Sequence, residues 1–179
     1  MKNIILIVLI CLFALWGGNT EAADSWNSPD GQFGRTTVTV SSVLAPQSGN
    51  FYGARSAFDG NPSTAWVEGV DGYGVNEWIK LAFGSPMKFK SLYITNGYAK
   101  NNDVYLKNSR PKKIRLDVDS GQSFEHTLSD TSASQIIILP LAVSSTSVKL
   151  TILSVYPGSK YMDTCISEFT ADFEEFNYQ

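Results

Sequence analysis

Apolar and polar residues alternate along most of the chain, and this period of two predicts β-strands. The segments that we assign to strands are residues 36–42, 79–83, 91–95, 114–118, 124–128, 135–139, 148–152 and 169–173. Gly84-Ser85-Pro86 predicts a turn, and Pro140 is expected to end the apolar run before it. No segment predicts a helix of more than a turn or two. About eight short strands separated by turn residues predict an all-β fold, an antiparallel jelly-roll β-sandwich.

The first 22 residues have the pattern of a secretory signal peptide. Lys2 precedes an almost wholly apolar stretch at residues 4–16, and Thr20-Glu21-Ala22 predicts cleavage after Ala22. The apolar stretch is shorter than the roughly 20 residues of a membrane-spanning helix. We therefore expect a secreted or periplasmic protein with no membrane insertion after signal cleavage.

Removing 22 of the 179 residues leaves 157, a length typical of one domain with one core. Residues 23–35 are polar and predict a leader or a loose first strand, and residues 36–176 are assigned to the domain. The net charge of −3 argues against nucleic acid as a partner, because nucleic-acid binding calls for a basic surface. Cys165 is the only cysteine left after signal removal. We expect a small buried hydrophobe there, while a reactive thiol or an intermolecular link remains an alternative.

Residues 57–66 combine a tight bend, several oxygen donors and a large aromatic side chain. The dipeptides Asp59-Gly60 and Asn61-Pro62 both predict turns. The side chains of Asp59, Asn61 and Thr64 offer hard oxygen ligands at short spacing, as a calcium ion requires. The alternative is that Asp59 and Asn61 only hydrogen-bond their own turn, with no ion. Trp66 is expected to anchor this corner in the core.

The sequence carries little that predicts catalysis. His126 is the only histidine, and no nucleophile motif lies near it. Glu68, Asp71 and Glu77 fall near one glycine-rich loop and could in principle hydrolyse a glycoside. Acidic residues are ordinary in such loops, so we predict that the protein is not an enzyme and keep a small hydrolase as a minor alternative.

Two loops carry the residue types that bind sugars. Aromatic rings cover the C–H faces of a sugar, and amides, carboxylates and cationic groups hydrogen-bond its hydroxyls. The predicted ligand-binding residues in loops 67–76 and 96–111 are Glu68, Tyr73, Tyr98, Asn102, Lys107, Asn108 and Arg110. In a jelly roll these loops are expected to meet at one end of the sandwich. The alternative is that Tyr98 and Tyr105 only pin the second loop to the body.

Several motifs resemble those of a known family. Asp59-Gly60-Asn61-x-x-Thr64-x-Trp66 and a closing strand with Glu168 are similar to the discoidin, or F5/8 type C, superfamily with its galactose-binding-like jelly roll. More narrowly, the segments at residues 108–114, 155–161 and 163–168 resemble the glycan-binding, or translocation, domain of streptococcal NAD glycohydrolase. The resemblance covers about residues 38–173.

This resemblance implies a non-catalytic module that binds a glycan or polysaccharide, and the NAD-cleaving activity is not expected to carry over. A protein- or membrane-surface adhesion domain of the same fold is the alternative. In calcium-bearing members the turn and the last strand hold a structural ion. That site maps here onto Asp59, Asn61, Thr64 and Glu168, with the carbonyl of Phe58.

Overall fold

The computed structural model describes residues 23–29 and 34–173. The predicted signal peptide at residues 1–22 and the end of the predicted domain at 174–176 lie outside the described residues. The eight strands are β1 Asp24–Asn27, β2 Thr36–Val40, β3 Trp66–Val67, β4 Trp78–Asn96, β5 Arg110–Val118, β6 Ser123–Thr127, β7 Ser134–Tyr156 and β8 Cys165–Asp172. A short 3-10 turn spans Ala54–Ala57, and one helix, α1, spans Asn102–Lys107. The prediction of an all-β fold with about eight strands is confirmed.

The strands form two antiparallel layers that share β4 and β7. The first half of β4 pairs with β2 and with the second half of β7. The second half of β4 pairs with the first half of β7 and with β8. β1 extends the first layer beyond β2, β5 and β6 extend it beyond β7, and β3 extends the second layer beyond β8. The result is a β-sandwich in which two long strands cross from one layer to the other.

Two predicted chain breaks are wrong. Residues 84–86 lie inside β4 and Pro140 lies inside β7, so neither position reverses the chain. The β4–β7 register shifts between Ala82 and Met87 and again between Phe89 and Ser91. Such shifts are β-bulges, which bend a strand without ending it. The turn-forming residues therefore redirect the two long strands between the layers.

Part of the predicted leader is a strand. Asp24 to Asn27 pair with Val40 to Thr37 of β2, which agrees with the loose first strand that was one of the two expectations. The side chain of Asp24 also accepts a hydrogen bond of 2.7 Å from the backbone N–H of Ala54. This contact ties the first strand to the 3-10 turn that leads into the corner at residues 57–66.

The core lies between the two layers. Trp66, Phe89 and Phe169 are among its largest fully buried side chains. Burying a side chain of this size stabilises the fold by about 1.5–3 kcal/mol. The indole N–H of Trp66 donates a hydrogen bond of 2.8 Å to the carbonyl of Ser42, so its polar atom is satisfied inside the core. Trp66 therefore anchors the corner, as predicted.

Cys165 is a free, fully buried residue beside Val67. Burial raises the pKa of its thiol well above the ordinary value, which favours the unreactive thiol form. In residues 23–29 and 34–173, no helix has both the length and the hydropathy to cross a membrane.

Candidate functional site

The corner at residues 57–66 is a compact turn built from its own side chains. Gly60 has a φ of +72°, which glycine adopts without strain. The carboxylate of Asp59 accepts hydrogen bonds of 3.0 Å from the N–H of Asn61 and from the hydroxyl of Thr64. Thr64 also donates its backbone N–H to the carbonyl of Asn61, which closes the turn at 3.0 Å. The three polar residues predicted as metal ligands therefore lie together.

Glu168, on β8, brings a second carboxylate to this turn. Its pKa is raised to about 7, mainly by burial and then by the charge of Asp59 and a hydrogen bond to it, while the N–H groups of Asn61 and Gly60 oppose the rise. One carboxylate oxygen, Oε1, is buried and has no hydrogen-bond partner. A buried oxygen without a partner costs free energy that a cation would recover.

These residues fit a calcium ion. The site offers two carboxylates, from Asp59 and Glu168, and neutral oxygens from Asn61 and Thr64, which match the preference of calcium for hard oxygen ligands. Within the described ranges no three Asp, Glu, His or Cys side chains cluster as a metal site, and this corner supplies two of these types, Asp59 and Glu168. Phe58, whose carbonyl was also predicted as a ligand, directly precedes the turn and packs partly against the core.

A cleft of about 400 Å³ opens between the loops that follow β2, β4 and β7. Its lining combines three tyrosine rings, two aspartates, a lysine, two amides and several aliphatic side chains. The lining residues are Leu44, Gln47, Tyr52, Val67, Tyr98, Asp103, Val104, Lys107, Asn108, Tyr161 and Asp163. Mixed aromatic and hydrogen-bonding linings of this size are typical of small-ligand sites.

Helix α1 forms one wall of the cleft, and its local sequence explains why it forms. The side chain of Asn101 caps the helix by accepting a hydrogen bond from the N–H of Val104 at 2.9 Å. Asn108 ends the helix, and its amide donates to the carbonyl of Val104 at 2.8 Å. Lys107 and Asp103 form an ion pair of 2.7 Å one turn apart.

Two glycines let this helix pack closely against its neighbours. Gly97 has a φ of +68°, and a Cβ at this position would lie 2.7 Å from the ring of Tyr105. A Cβ at Gly158 would lie 2.4 Å from the carbonyl of Lys107. The loop after β7 can therefore run directly across the end of α1, where Tyr161 donates its N–H to Lys107 at 2.8 Å.

The structure brings three of the predicted ligand residues into the cleft: Tyr98, Lys107 and Asn108. Tyr73 lies on the adjoining loop with its side chain partly exposed, and its carbonyl accepts a hydrogen bond of 2.9 Å from Thr164. Thr164 directly follows Asp163 of the cleft, so the two loops meet at the same end of the sandwich. Asn102 is exposed on α1 but does not line the cleft.

Two of the predicted ligand residues are buried instead of lying on the surface. Glu68 is fully buried, and its carboxylate accepts the N–H groups of Thr164 and Val70 at 3.0 and 2.9 Å. Burial raises its pKa, the neighbouring charges of Asp163 and Glu77 raise it further, and the two backbone hydrogen bonds oppose the rise. Glu68 therefore joins the loop at residues 67–76 to the start of β8.

Arg110 is likewise enclosed. Its guanidinium makes two hydrogen bonds of 2.7 Å to the carboxylate of Asp130 and lies 4.9 Å from the centre of the Tyr105 ring. The hydrogen bonds to Asp130 raise the pKa of Arg110, and the same contact lowers the pKa of Asp130. Tyr105, predicted only as a possible pin for this loop, is buried and does hold α1 to the body.

Sequence reasoning missed several residues that line the cleft, among them Tyr52, Tyr161 and Asp163. Tyr52 lies in the long loop after β2, where nothing in the local pattern distinguishes it. Tyr161 and Asp163 lie in segments that carry the family resemblance, and that was the available signal. Their proximity to Tyr98 depends on how the loop after β7 crosses α1.

Residues 30–172 match the family model described as the NAD glycohydrolase translocation F5/8 type C domain. Among solved structures the fold is similar to CpGH89CBM32-5 from Clostridium perfringens, which was solved in complex with GalNAc-β-1,3-galactose. The two sequences are 20% identical and the TM-score is 0.56. The match covers 76% of this chain and 94% of that chain. The fold is also similar to the family 32 carbohydrate-binding module of NanJ from C. perfringens, in complex with galactose, at 17% identity, a TM-score of 0.55 and coverage of 76% and 92%.

A Ruminococcus gnavus GH29 fucosidase is similar at 18% identity and a TM-score of 0.54, and the match covers 76% of this chain but 24% of the fucosidase chain. The comparison with curated proteins found no match. These similarities confirm the expected sandwich fold.

Proposed function

Because the chain belongs to the NAD glycohydrolase translocation F5/8 type C domain family, we propose that it is an exported, non-catalytic module that binds a glycan. Export rests on the signal sequence at residues 1–22 alone. Two structures of similar fold were solved with galactose or a galactose-containing disaccharide, which supports a sugar as the ligand.

The cleft beside α1 is the observation that carries this proposal. The rings of Tyr52, Tyr98 and Tyr161 offer flat apolar surfaces of the kind that pack on the C–H face of a sugar. Asn108 and Asp163 lie in the same cleft and can exchange hydrogen bonds with hydroxyl groups. The aromatic surface supplies affinity and the polar groups select the orientation of the sugar.

A binding role also agrees with the placement of the acidic residues. Glu68 is one of the three carboxylates, with Asp71 and Glu77, that the hydrolase alternative offered, and both of its oxygens accept backbone hydrogen bonds inside the fold. Such a carboxylate is committed to holding the loop together. It is not poised beside the cleft as a general acid or nucleophile, and so we assign no reaction to the site.

The proposal includes a structural calcium ion at the corner. Asp59, Asn61, Thr64 and Glu168 would hold it, with help from the carbonyl of Phe58. The ion would neutralise the negative charges of the deprotonated Asp59 and Glu168 and would join the corner to β8. This is a role in stability, and it leaves sugar binding to the residues of the cleft.

Glycan-array binding tests the proposed function. We expect the wild-type protein to bind a subset of glycans, and Tyr98→Ala to weaken that binding at least tenfold, which corresponds to about 1.4 kcal/mol. Tyr93→Ala is the matched control, because Tyr93 is exposed on β4 and does not line the cleft. A folded wild-type protein that binds nothing on a broad array would refute the proposal.

One observation favours the alternative of surface adhesion. Three large apolar side chains near the cleft are 46–73% exposed: Phe51 and Met162 in loops and Leu106 on α1. Binding to phosphatidylserine vesicles that is lost in Phe51→Ser but retained in Tyr98→Ala would support adhesion to membranes over sugar binding.

A further inference from the structure

Asp163 lies in the cleft with an unpaired carboxylate. Its backbone is fixed, because its carbonyl accepts the N–H of Ser109 at 3.1 Å and the next residue, Thr164, donates its N–H to Glu68. In the part of the chain that the structure describes, no hydrogen bond or ion pair to the side-chain oxygens of Asp163 is present. The residue is half-buried, so water screens its charge less than at an open surface.

The other charges near the cleft already have partners. The ammonium of Lys107 lies 2.7 Å from the carboxylate of Asp103. The ammonium of Lys160, at the rim, lies 4.9 Å from the centre of the Tyr161 ring. Asp163 is therefore the one lining charge, among the described residues, that a ligand would meet without breaking an existing pair.

The negative charge of Asp163 also acts on two buried groups beneath the cleft. Its negative charge raises the pKa of Glu68 and of Cys165, in both cases after the larger effect of burial. Lys107 is the one cation among the described lining residues, and it is paired with Asp103. A ligand beside the tyrosine rings would therefore meet the carboxylate of Asp163 directly.

Resting on the proposed glycan-binding function, we propose that Asp163 anchors the ligand and selects it by charge, so that the cleft prefers amino sugars with a free ammonium group, accepts neutral sugars and excludes acidic sugars. An ammonium group would gain an ion pair with Asp163 and attraction to the faces of the tyrosine rings. A neutral sugar still donates a hydroxyl to the carboxylate. A uronic acid brings a second carboxylate into the same cleft and is repelled.

Isothermal titration calorimetry with three sets of methyl glycosides tests this selectivity. The probes are the amino, neutral and uronic acid forms of galactose and of glucose, titrated at pH 6 so that the amine is protonated. We expect the wild-type protein to bind the amino form at least about fivefold more tightly than the neutral form and the uronic acid at least about tenfold more weakly. In Asp163→Asn the three forms of one sugar should differ by less than about threefold.

Asp71→Asn is the matched control, since it removes one negative charge from the exposed loop at residues 67–76 without touching the cleft. This variant should bind the amino, neutral and uronic acid forms in the same order of affinity as the wild-type protein. The melting temperature of each variant verifies that it is folded. If neutral sugars bind but the order is absent in the wild type, or survives in Asp163→Asn, the role of Asp163 is refuted while glycan binding stands. If none of the probes binds although the array is positive, the inference also fails. If the array is blank as well, both proposals fail.

Discussion

Replacing Glu168 by glutamine should change how stability depends on pH. In the folded state the pKa of Glu168 is about 7, against an ordinary value near 4.5. The folded protein therefore binds a proton more tightly than the unfolded chain between these two values. Stability contributed by this group is present below pH 4.5 and is lost as the pH rises to 7.

The size of the effect follows from the shift. A difference of about 2.5 pKa units corresponds to about 3.4 kcal/mol at most. Glu168 is only half-buried, so solvent screening reduces this to about 1–2 kcal/mol. For a domain of this length, the loss should lower the melting temperature by roughly 3–8 °C between pH 5 and pH 8 in the presence of EDTA.

Calcium should reverse this dependence. The ion binds the deprotonated carboxylates, so it stabilises the folded state more at pH 8 than at pH 5. Glu168→Gln should lose most of the calcium-dependent rise in melting temperature and most of the fall with pH in EDTA. Glu125→Gln, which changes an exposed carboxylate on β6, should keep both effects.

Thermal unfolding followed by circular dichroism measures these differences. Burial lowers the pKa of His126, so protonation of this residue destabilises the folded state as the pH falls, opposite in sign to the effect of Glu168. The quantity to compare is therefore the difference in melting temperature between the wild-type protein and Glu168→Gln at each pH. If that difference is constant from pH 5 to pH 8 in EDTA, the raised pKa of Glu168 is refuted. If calcium raises both melting temperatures equally, the ion does not bind at this corner.

Two further predictions concern the fold. In urea unfolding, Asp130→Ala should destabilise the protein by about 3 kcal/mol and Arg110→Met by about 2 kcal/mol. The guanidinium is the more deeply buried partner, so leaving it unpaired costs more free energy than leaving the carboxylate unpaired. A larger loss of stability in Arg110→Met than in Asp130→Ala would contradict this account. Ile137→Thr should cost about 1–3 kcal/mol while its neighbour Ile138→Thr should cost less than about 0.5 kcal/mol, because Ile137 is 1% exposed and Ile138 is 68% exposed. Equal changes in the urea midpoint would show that the two side chains do not point to opposite faces.

The sandwich and the corner could both be predicted because their signals are local. Alternation with a period of two is a property of neighbouring residues, and it located β2, most of β5 and the second half of β8. The bend around Gly60 follows from turn dipeptides, and the large aromatic Trp66 next to it was expected in the core. The prediction that a strand ends at Pro140 was wrong, because a bulge within one strand and a turn between two strands use the same residue types.

The cleft could be predicted only in part. Tyr98 and Asn108 are near each other in sequence, so one loop supplied both. Arg110 has the chemistry of a ligand residue, but Asp130, 20 positions further along the chain, draws its guanidinium into the interior.

The sequence by itself determined that the chain forms strands, where it bends and to which family it belongs, because these depend on local residue patterns. The tertiary structure alone decided which polar groups line the cleft. Glu68 meets the backbone of Thr164, 96 positions away, and is thereby taken out of the cleft. Asp163 is left in the cleft, where its carboxylate has no hydrogen bond or ion pair with the residues that the structure describes. Whether a polar side chain is left without a partner in the cleft depends on contacts between segments that are distant in sequence, and local residue patterns do not record those contacts.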